Sequence, residues 1–402
     1  MKPTETIPFK TKLSQTWDSK NLSILLFAYF LISLIAASQN LFHGPKFTAE
    51  SGGRAYTDYN NYVIFKYSFF HLIHGKDIYQ LFPDDQWDLY KYSPSFSLFF
   101  GLLAWLPDPI GVILWHLINT ICLYAGIRML PGIDDKKKSW ILLLCLPELL
   151  LSIQNTQSNG LMAGLIILGF ALAERSKFAL SAFCIVFSVY IKIFSLLAFV
   201  IYLLSPRRLP LIGWSIFWMI VLAALPLTVV APHQLVFLYK SWLNLLLNDH
   251  SASIGLSVMG LMHSWLHLDM PKNMVALAGL LLFILPLIHI RQYKDYYFRL
   301  LFLASVLIWV VIFNHKAESP TFIIALSGVC IWYFSQTRST VNLVLLILAF
   351  LLVTMSVSDL VPSHVKHEIV EPYGIKAIMP VIIWCKILYE QLTLQYKPER
   401  LV

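Results

Sequence analysis

The sequence predicts an all-α protein that crosses a membrane many times, and three observations predict it. Of its 402 residues 58% are hydrophobic and only 13% charged, with a mean hydropathy of +0.68. Apolar runs such as 22–37, 275–290 and 341–353 approach or reach the length that a helix needs to cross a bilayer. Those runs are continuous, whereas the strands of a membrane barrel alternate over segments of about ten residues.

The elements follow in order. Residues 1–20 are polar and read as a cytoplasmic tail, and the long apolar run after them reads as an uncleaved signal anchor. Apolar segments then lie near 21–41, 94–106, 109–130, 139–152, 158–174, 178–191, 193–205, 209–231, 271–290, 298–314, 320–335, 340–357 and 374–392. Several are short for a full span and are expected to be broken helices that meet inside the protein, where irregular backbone is tolerated.

Basic residues assign the sides. Lys2, Lys10, Lys12 and Lys20 put the amino terminus in the cytoplasm, and "RMLPGIDDKKKS", "ERSK", "SPRR", "RQYKDYYFR", "SQTRS" and "YKPER" join it. The parity fails once: if 94–106 and 109–130 both span, "DDKKK" lands outside. Laying 94–106 along the outer surface repairs it and leaves about twelve spans with both termini inside. A long first outer loop (42–107) then precedes a second (about 232–270) and short loops at 314–319 and 358–373. The turns "SIQNTQSN" and "YIKIF" face the same side. A structureless loop of the first loop's length is unexpected, and "YVIFKYSFFHLIHG" (62–75) has the aromatic and basic residues of an interfacial helix.

Several function classes recede. The net charge of +8 is a topology signal, so no nucleic-acid partner is expected. The five cysteines lie inside apolar segments without CxxC spacing and read as small core hydrophobes. There is no P-loop and no GxGxxG, and "PDDQWD" (83–88) lacks the DxD spacing that holds a metal and a nucleotide diphosphate. His263 and His267 stand at i,i+4 with Asp269 near, and "SHVKHE" (363–368) is similar, but amphipathic interfacial helices often carry such histidines. No metal and no cofactor are expected.

The chemistry gathers on the outer side. Asp58, in "GGRAYTDYNNY", is a lone carboxylate just beyond the first span; as a general base it would take a proton from an attacking hydroxyl, and as an ordinary loop acid it would cap the helix that follows. Lys192 lies between two short apolar segments, where a lysine either meets an anion or snorkels to headgroups. Gln154, Asn155, Gln157 and Asn159 crowd one turn, and amides there either grip sugar hydroxyls or cap helix ends. His315 and Lys316 in "FNHKAES" either reach a phosphate or sugar from the carboxy-terminal half or belong to an ordinary short polar loop. Arg54, Lys66, Lys76 and Lys91 make the first loop basic, which suits anionic lipid headgroups or a phosphate substrate, although most of them read equally as a solvated face.

The succession "TDYNNYVIF", "HGKDIYQ", "YKYSPSFSLFFGLLAWLPDPIGVILWHLIN", "IQNTQSNGLMAGLIILGFALAE" and "ALSAFCIVFSVYIKIFSLLAFVIYLL" resembles the GT-C membrane glycosyltransferases, specifically glycosyltransferase family 87, which uses polyprenol-phosphate mannose. The resemblance covers roughly residues 20–232 and weakens beyond. It implies a catalytic module over 21–231 with seven spans and two interfacial helices in the first outer loop, followed by a variable five-span module over 232–402. It implies inverting transfer of one sugar, mannose in this family, from a polyprenyl-phosphate carrier to a lipid-linked or glycan acceptor at the extracytoplasmic face of a bacterial inner membrane. Asp58 matches the position of the family's catalytic acid. Lys192, His315 and Lys316 are then expected at the donor phosphate, and Arg54, Tyr59, Tyr92, Asn155 and Gln157 at the sugars. A transporter or flippase of a lipid-linked sugar, or a non-catalytic partner in glycan assembly, is the alternative.

Overall fold

A computed structural model describes residues 9–47, 53–248, 253–358 and 361–395, and the side chains from Lys20 onward; Lys2, Lys10, Lys12 and the "YKPER" tail lie outside these limits. Its helices follow the apolar segments closely. They are α1 (Phe9–Phe42), α2 (Asn60–Ile73), α3 (Pro94–Ala104), α4 (Asp108–Met129), α5 (Asp135–Gln154), α6 (Asn159–Glu174), α7 (Phe178–Ile191), α8 (Val200–Leu204) and α9 (Arg208–Ala224) in the first half. The second half holds α10 (Pro232–Asn248), α11 (Val258–Leu266), α12 (Lys272–Ile284), α13 (Tyr296–Ile312), α14 (Phe322–Phe334), α15 (Thr340–Ala349), α16 (Ser363–Val365) and α17 (Ile375–Thr393). Two short strands, β1 (Lys46–Phe47) and β2 (Ala55–Tyr56), pair antiparallel just after α1.

The chain is an all-α membrane protein. Four helical stretches, Lys20–Phe42, Asp108–Met129, Arg208–Thr228 and Thr340–Val357, are long and apolar enough to cross a bilayer. Others are shorter and broken, as the segment lengths anticipate: α7 stops at Lys192 and continues as a 3₁₀ helix (Ile193–Phe199) into α8, and α15 passes into a π-helical turn (Phe350–Thr354). Helix α3 has 11 residues and is about 16 Å long, too short for a hydrocarbon layer of about 30 Å. It packs instead on α2, where Phe65 meets Tyr92, Phe96, Phe100 and Trp115 edge-on at 4.9–5.5 Å.

Inside the bundle α4 lies between α1 and α6, and α13 packs along α14. Glycines allow α4 and α6 to approach closely: a Cβ on Gly164 would stand 2.5 Å from the Cys122 carbonyl carbon, and one on Gly126 would stand 2.9 Å from the Gly164 oxygen. Without a hydrophobic drive between helices in lipid, such small-residue contacts supply the packing.

The two ends of the bundle differ chemically. At one end the basic clusters meet: Arg299 forks onto Glu174 at 2.7 Å through both Nε and Nη2, Arg175 donates to the Met129 carbonyl, Arg128 pairs with Asp135, and Arg207 bonds Ser176. The opposite end carries the first long loop, the 154–159 turn, Lys192 and the 313–321 segment. There α10 ties the first loop down, with Ser241 donating to Asp77 and Trp242 to the Lys91 carbonyl. The two amphipathic helices α10 and α11 occupy the stretch that the sequence left as a polar loop.

Candidate active site

The turn between α5 and α6 organises this end. Thr156 adopts a left-handed backbone (φ 49°), its hydroxyl accepts from the Tyr62 amide at 3.3 Å, and its carbonyl accepts from the Trp115 indole at 2.8 Å. The four amides of the turn then separate into two pairs. Gln154 and Asn155 turn away from Lys192: the Gln154 side chain donates to Gln39 of α1, and the Asn155 side chain returns to its own helix while its backbone carbonyl accepts from Asn61. Gln157 and Asn159 face the other way, toward Glu318 and Lys192.

On that second side a cavity of about 350 Å³ opens. Its wall is assembled from the start of α2 (Asn61, Ile64), the stretch before α3 (Asp88 to Tyr92), Gln157, the break at 191–194, Leu246 of α10 and the 314–321 segment. Five candidates named from the sequence meet here: Tyr92, Gln157, Lys192, His315 and Lys316. Lys192 Nζ donates to Asn159 Oδ1 at 2.7 Å and lies 5.9 Å from the Phe194 ring. Asn159 Nδ2 donates in turn to Gln157 Oε1 and the Pro320 carbonyl, and Gln157 donates to Glu318 at 2.6 Å.

The electrostatics are cationic but restrained. Three lysines (Lys91, Lys192, Lys316) face two carboxylates (Asp88, Glu318), which leaves one net positive charge with His315 neutral. Burial, helped by the charge of Lys272, holds the His315 imidazole below its ordinary 6.5. Burial likewise lowers Lys316, with Lys91 adding repulsion and Asp88 opposing it. Burial raises the Tyr92 phenol, so it stays a neutral hydroxyl. Asp88 sits in the left-handed region (φ 72°), a costly conformation for a residue other than glycine, with its carboxylate on the Leu89 amide and Lys91.

The other four candidates lie elsewhere. Asp58 is nearly enclosed, 8% exposed, with its carboxylate held by Lys46, by His43 at 3.4 Å and by Asn40 at 3.2 Å. It does not line the cavity, although Asn61, three residues on, does. It does not cap α2 either, since Tyr59 occupies that position without a side-chain bond. Tyr59 donates to Asp108 at 3.3 Å. Arg54 pairs with Asp84 beside a second, shallower cavity of about 370 Å³ formed with Tyr56, Asn60 and Asp85. The Asn155 side chain returns to the Leu151 carbonyl of its own helix.

Sequence reasoning passed over Asp88 and Glu318. Glu318 stands in the quoted "FNHKAES" and Asp88 ends "PDDQWD", but nothing local marks either carboxylate as sharing a cavity with lysines from three separate segments. His263 bonds Asp269 at 2.6 Å, and no group of three metal-ligating side chains occurs among the described residues.

The family profile of glycosyltransferase family 87 matches residues 90–358. The chain belongs to glycosyltransferase family 87. It is therefore a membrane glycosyltransferase, an enzyme that uses a sugar donor and an acceptor, and the transporter and non-catalytic readings fall away. No curated protein matches the chain. The match runs well past residue 232, where the resemblance read from the sequence fades, and takes in Lys192, His315, Lys316 and Glu318. It starts beyond Asp58.

Proposed function

We propose that this glycosyltransferase moves a single sugar, mannose, from a polyprenyl-phosphate carrier to a lipid-linked or glycan acceptor, with inversion, at the extracytoplasmic face. One observation carries the donor assignment: a cavity whose lining has a single net positive charge. A sugar on one phosphodiester brings one negative charge, and Lys192, His315 and Lys316 suit it as donors. A nucleotide diphosphate brings more charge than this lining balances. The apolar members of the wall, Ile64, Ile191, Ile193, Phe194 and Leu246, suit the isoprenoid next to the phosphate.

In this reading Asp58 is the general base. The acceptor hydroxyl attacks the anomeric carbon, its proton passes to the Asp58 carboxylate, and the bond from that carbon to the phosphate oxygen breaks. The leaving phosphate takes the electron pair and rests on Lys192 and Lys316. Lys46 and His43 cover Asp58 from the exposed side, so the acceptor displaces them on arrival. The reading includes the twelve-span topology, with seven spans over 21–231, five over 232–402, and α2 and α3 at the outer surface. It needs no cofactor.

The test is reconstitution. Proteoliposomes given radiolabelled polyprenyl-phosphate mannose and a bacterial lipid extract should pass label to a lipid or glycan product with inverted anomeric configuration. Labelling from a nucleotide sugar alone, with none from the lipid donor, rejects the proposal.

A further inference from the structure

Outside the cavity the bundle contains a lysine and a glutamate with no exposure at all. Lys376, at the start of α17, and Glu148, one residue after Pro147 in α5, are both 0% exposed, and Lys376 Nζ lies 2.6 Å from Glu148 Oε1. Among the described residues, neither Glu148 oxygen has a hydrogen-bond partner beyond that ion contact. A buried ion pair of this kind adds little net stability, because desolvation offsets its attraction. In a membrane protein such a pair marks a specific role.

Its remaining contact says what that role is. Lys376 Nζ also donates to Ser319 Oγ at 2.8 Å, and its charge faces the Phe322 ring at 5.4 Å. Ser319 adjoins Glu318 of the cavity wall and Pro320, whose carbonyl accepts from Asn159 at 3.0 Å. Asn159 is the residue that holds Lys192. The 318–321 segment is thus gripped from one side by the buried pair and from the other by the amide that orients the cavity lysine.

We infer that Lys376 and Glu148 are positioning residues of the anion site: α17, which lies beyond the stretch matched to the family, fixes the 315–321 wall and through Asn159 the ammonium of Lys192. Glu148 holds the Lys376 ammonium so that one of its N–H bonds is directed at Ser319. The inference rests on the reading of the cavity as the donor phosphate site.

The experiment measures binding of a polyprenyl phosphate to the purified full-length protein in lipid–detergent micelles, with Tm recorded for each variant. Ser319→Ala removes the hold and leaves the ion pair in place; its dissociation constant should rise about tenfold, the scale of a hydrogen bond to a charged group, with Tm little changed. Ser319→Thr keeps the hydroxyl and should bind as wild type. The paired variant Glu148→Leu with Lys376→Met removes both charges together, so it should keep its Tm while weakening binding as Ser319→Ala does. Lys192→Ala in the same series reports on the cavity reading itself. Wild-type affinity in Ser319→Ala, beside weak binding by Lys192→Ala, overturns the positioning role and leaves the phosphate site standing. Wild-type affinity in Lys192→Ala overturns the site. If the paired variant does not fold, Ser319→Ala and its threonine rescue still decide.

Discussion

Lys192 and Asn159 meet at 2.7 Å, the ammonium donating to the amide oxygen, at the point where α7 gives way to a 3₁₀ helix. Asn159 opens α6, so the contact binds two helices through one cation that keeps further N–H bonds for a ligand. A lysine that only snorkels to headgroups has no use for a buried amide partner.

Lys192→Ala should therefore raise the donor KM and lower kcat, with fold and Tm retained, because a leaving phosphate loses its cation. The loss in kcat/KM is expected to be about 10²-fold or more, the scale for one preorganised donor to developing charge. Steady-state transfer from polyprenyl-phosphate mannose measures it. Wild-type kinetics in this variant return Lys192 to the lipid headgroups.

The pH dependence of donor binding has a definite sign. Burial depresses His315, so it is neutral at pH 7 and gains its proton only as the pH falls below 6.5. A protonated imidazole adds a positive charge to the cavity, so polyprenyl-phosphate mannose, a phosphodiester whose single charge does not change in this range, should bind more tightly as the pH is lowered through that region. His315→Gln should flatten the curve while leaving affinity at neutral pH within a few-fold. Affinity that falls on acidification, with His315 intact, contradicts the assignment. Folding stability moves the other way: the unfolded chain accepts this proton more readily, so the His315 contribution is lost as pH drops.

Topology is tested at Lys136. This exposed residue sits in the first turn of α5, at the end of the bundle where Arg175, Arg207 and Arg299 also gather. A cysteine placed there should resist membrane-impermeant reagents applied from outside and react once the membrane is opened. Labelling in intact cells removes the twelve-span arrangement and sets α3 back among the crossing segments.

Element boundaries were legible where a helix is a continuous apolar run: α7 runs over 178–191 as expected, and α4, α6, α13 and α17 differ by a residue or two from the sequence reading. The placement of 94–106 came from charge parity, and the 11-residue length of α3 agrees with it. Helices α10 and α11 were hidden because their apolar residues come in short stretches broken by polar ones and never form a run long enough to cross a membrane. The site was legible only in its cations. Lys192, His315 and Lys316 stand out in apolar surroundings, whereas the bond from Gln157 to Glu318 joins residues 161 positions apart, a relation no local pattern encodes. Among the four amides of the 154–159 turn, the left-handed Thr156 separates Gln154 and Asn155 from Gln157 and Asn159, which bond toward Glu318 and Lys192. The bond from Arg54 to Asp84 and that from Tyr59 to Asp108 are equally nonlocal, and they draw both side chains away from the cavity.

The remaining prediction concerns Asp58. Its carboxylate is 8% exposed and has three partners: Asn40, which also binds the Gln154 carbonyl, and the more exposed His43 and Lys46. Asn40 fixes the carboxylate against the 154–159 turn, whose far side carries Gln157 and Asn159, while Lys46 and His43 are the partners an incoming acceptor can displace. Asparagine is nearly isosteric with aspartate, and its amide cannot take a proton from an attacking hydroxyl. Asp58→Asn should therefore keep polyprenyl phosphate affinity while transfer falls by about 10² or more, the scale for loss of a general base. The loss of the ion pair with Lys46 should cost at most about 1 kcal/mol, because Lys46 is 68% exposed and solvent screens the interaction. A second variant, Lys46→Met, removes that pair and leaves the carboxylate, so it should retain transfer. Near wild-type transfer by Asp58→Asn makes the residue a structural acid that ties the first loop to α1. Equal loss in Asp58→Asn and Lys46→Met assigns the effect to the ion pair, and only loss confined to Asp58→Asn supports a base.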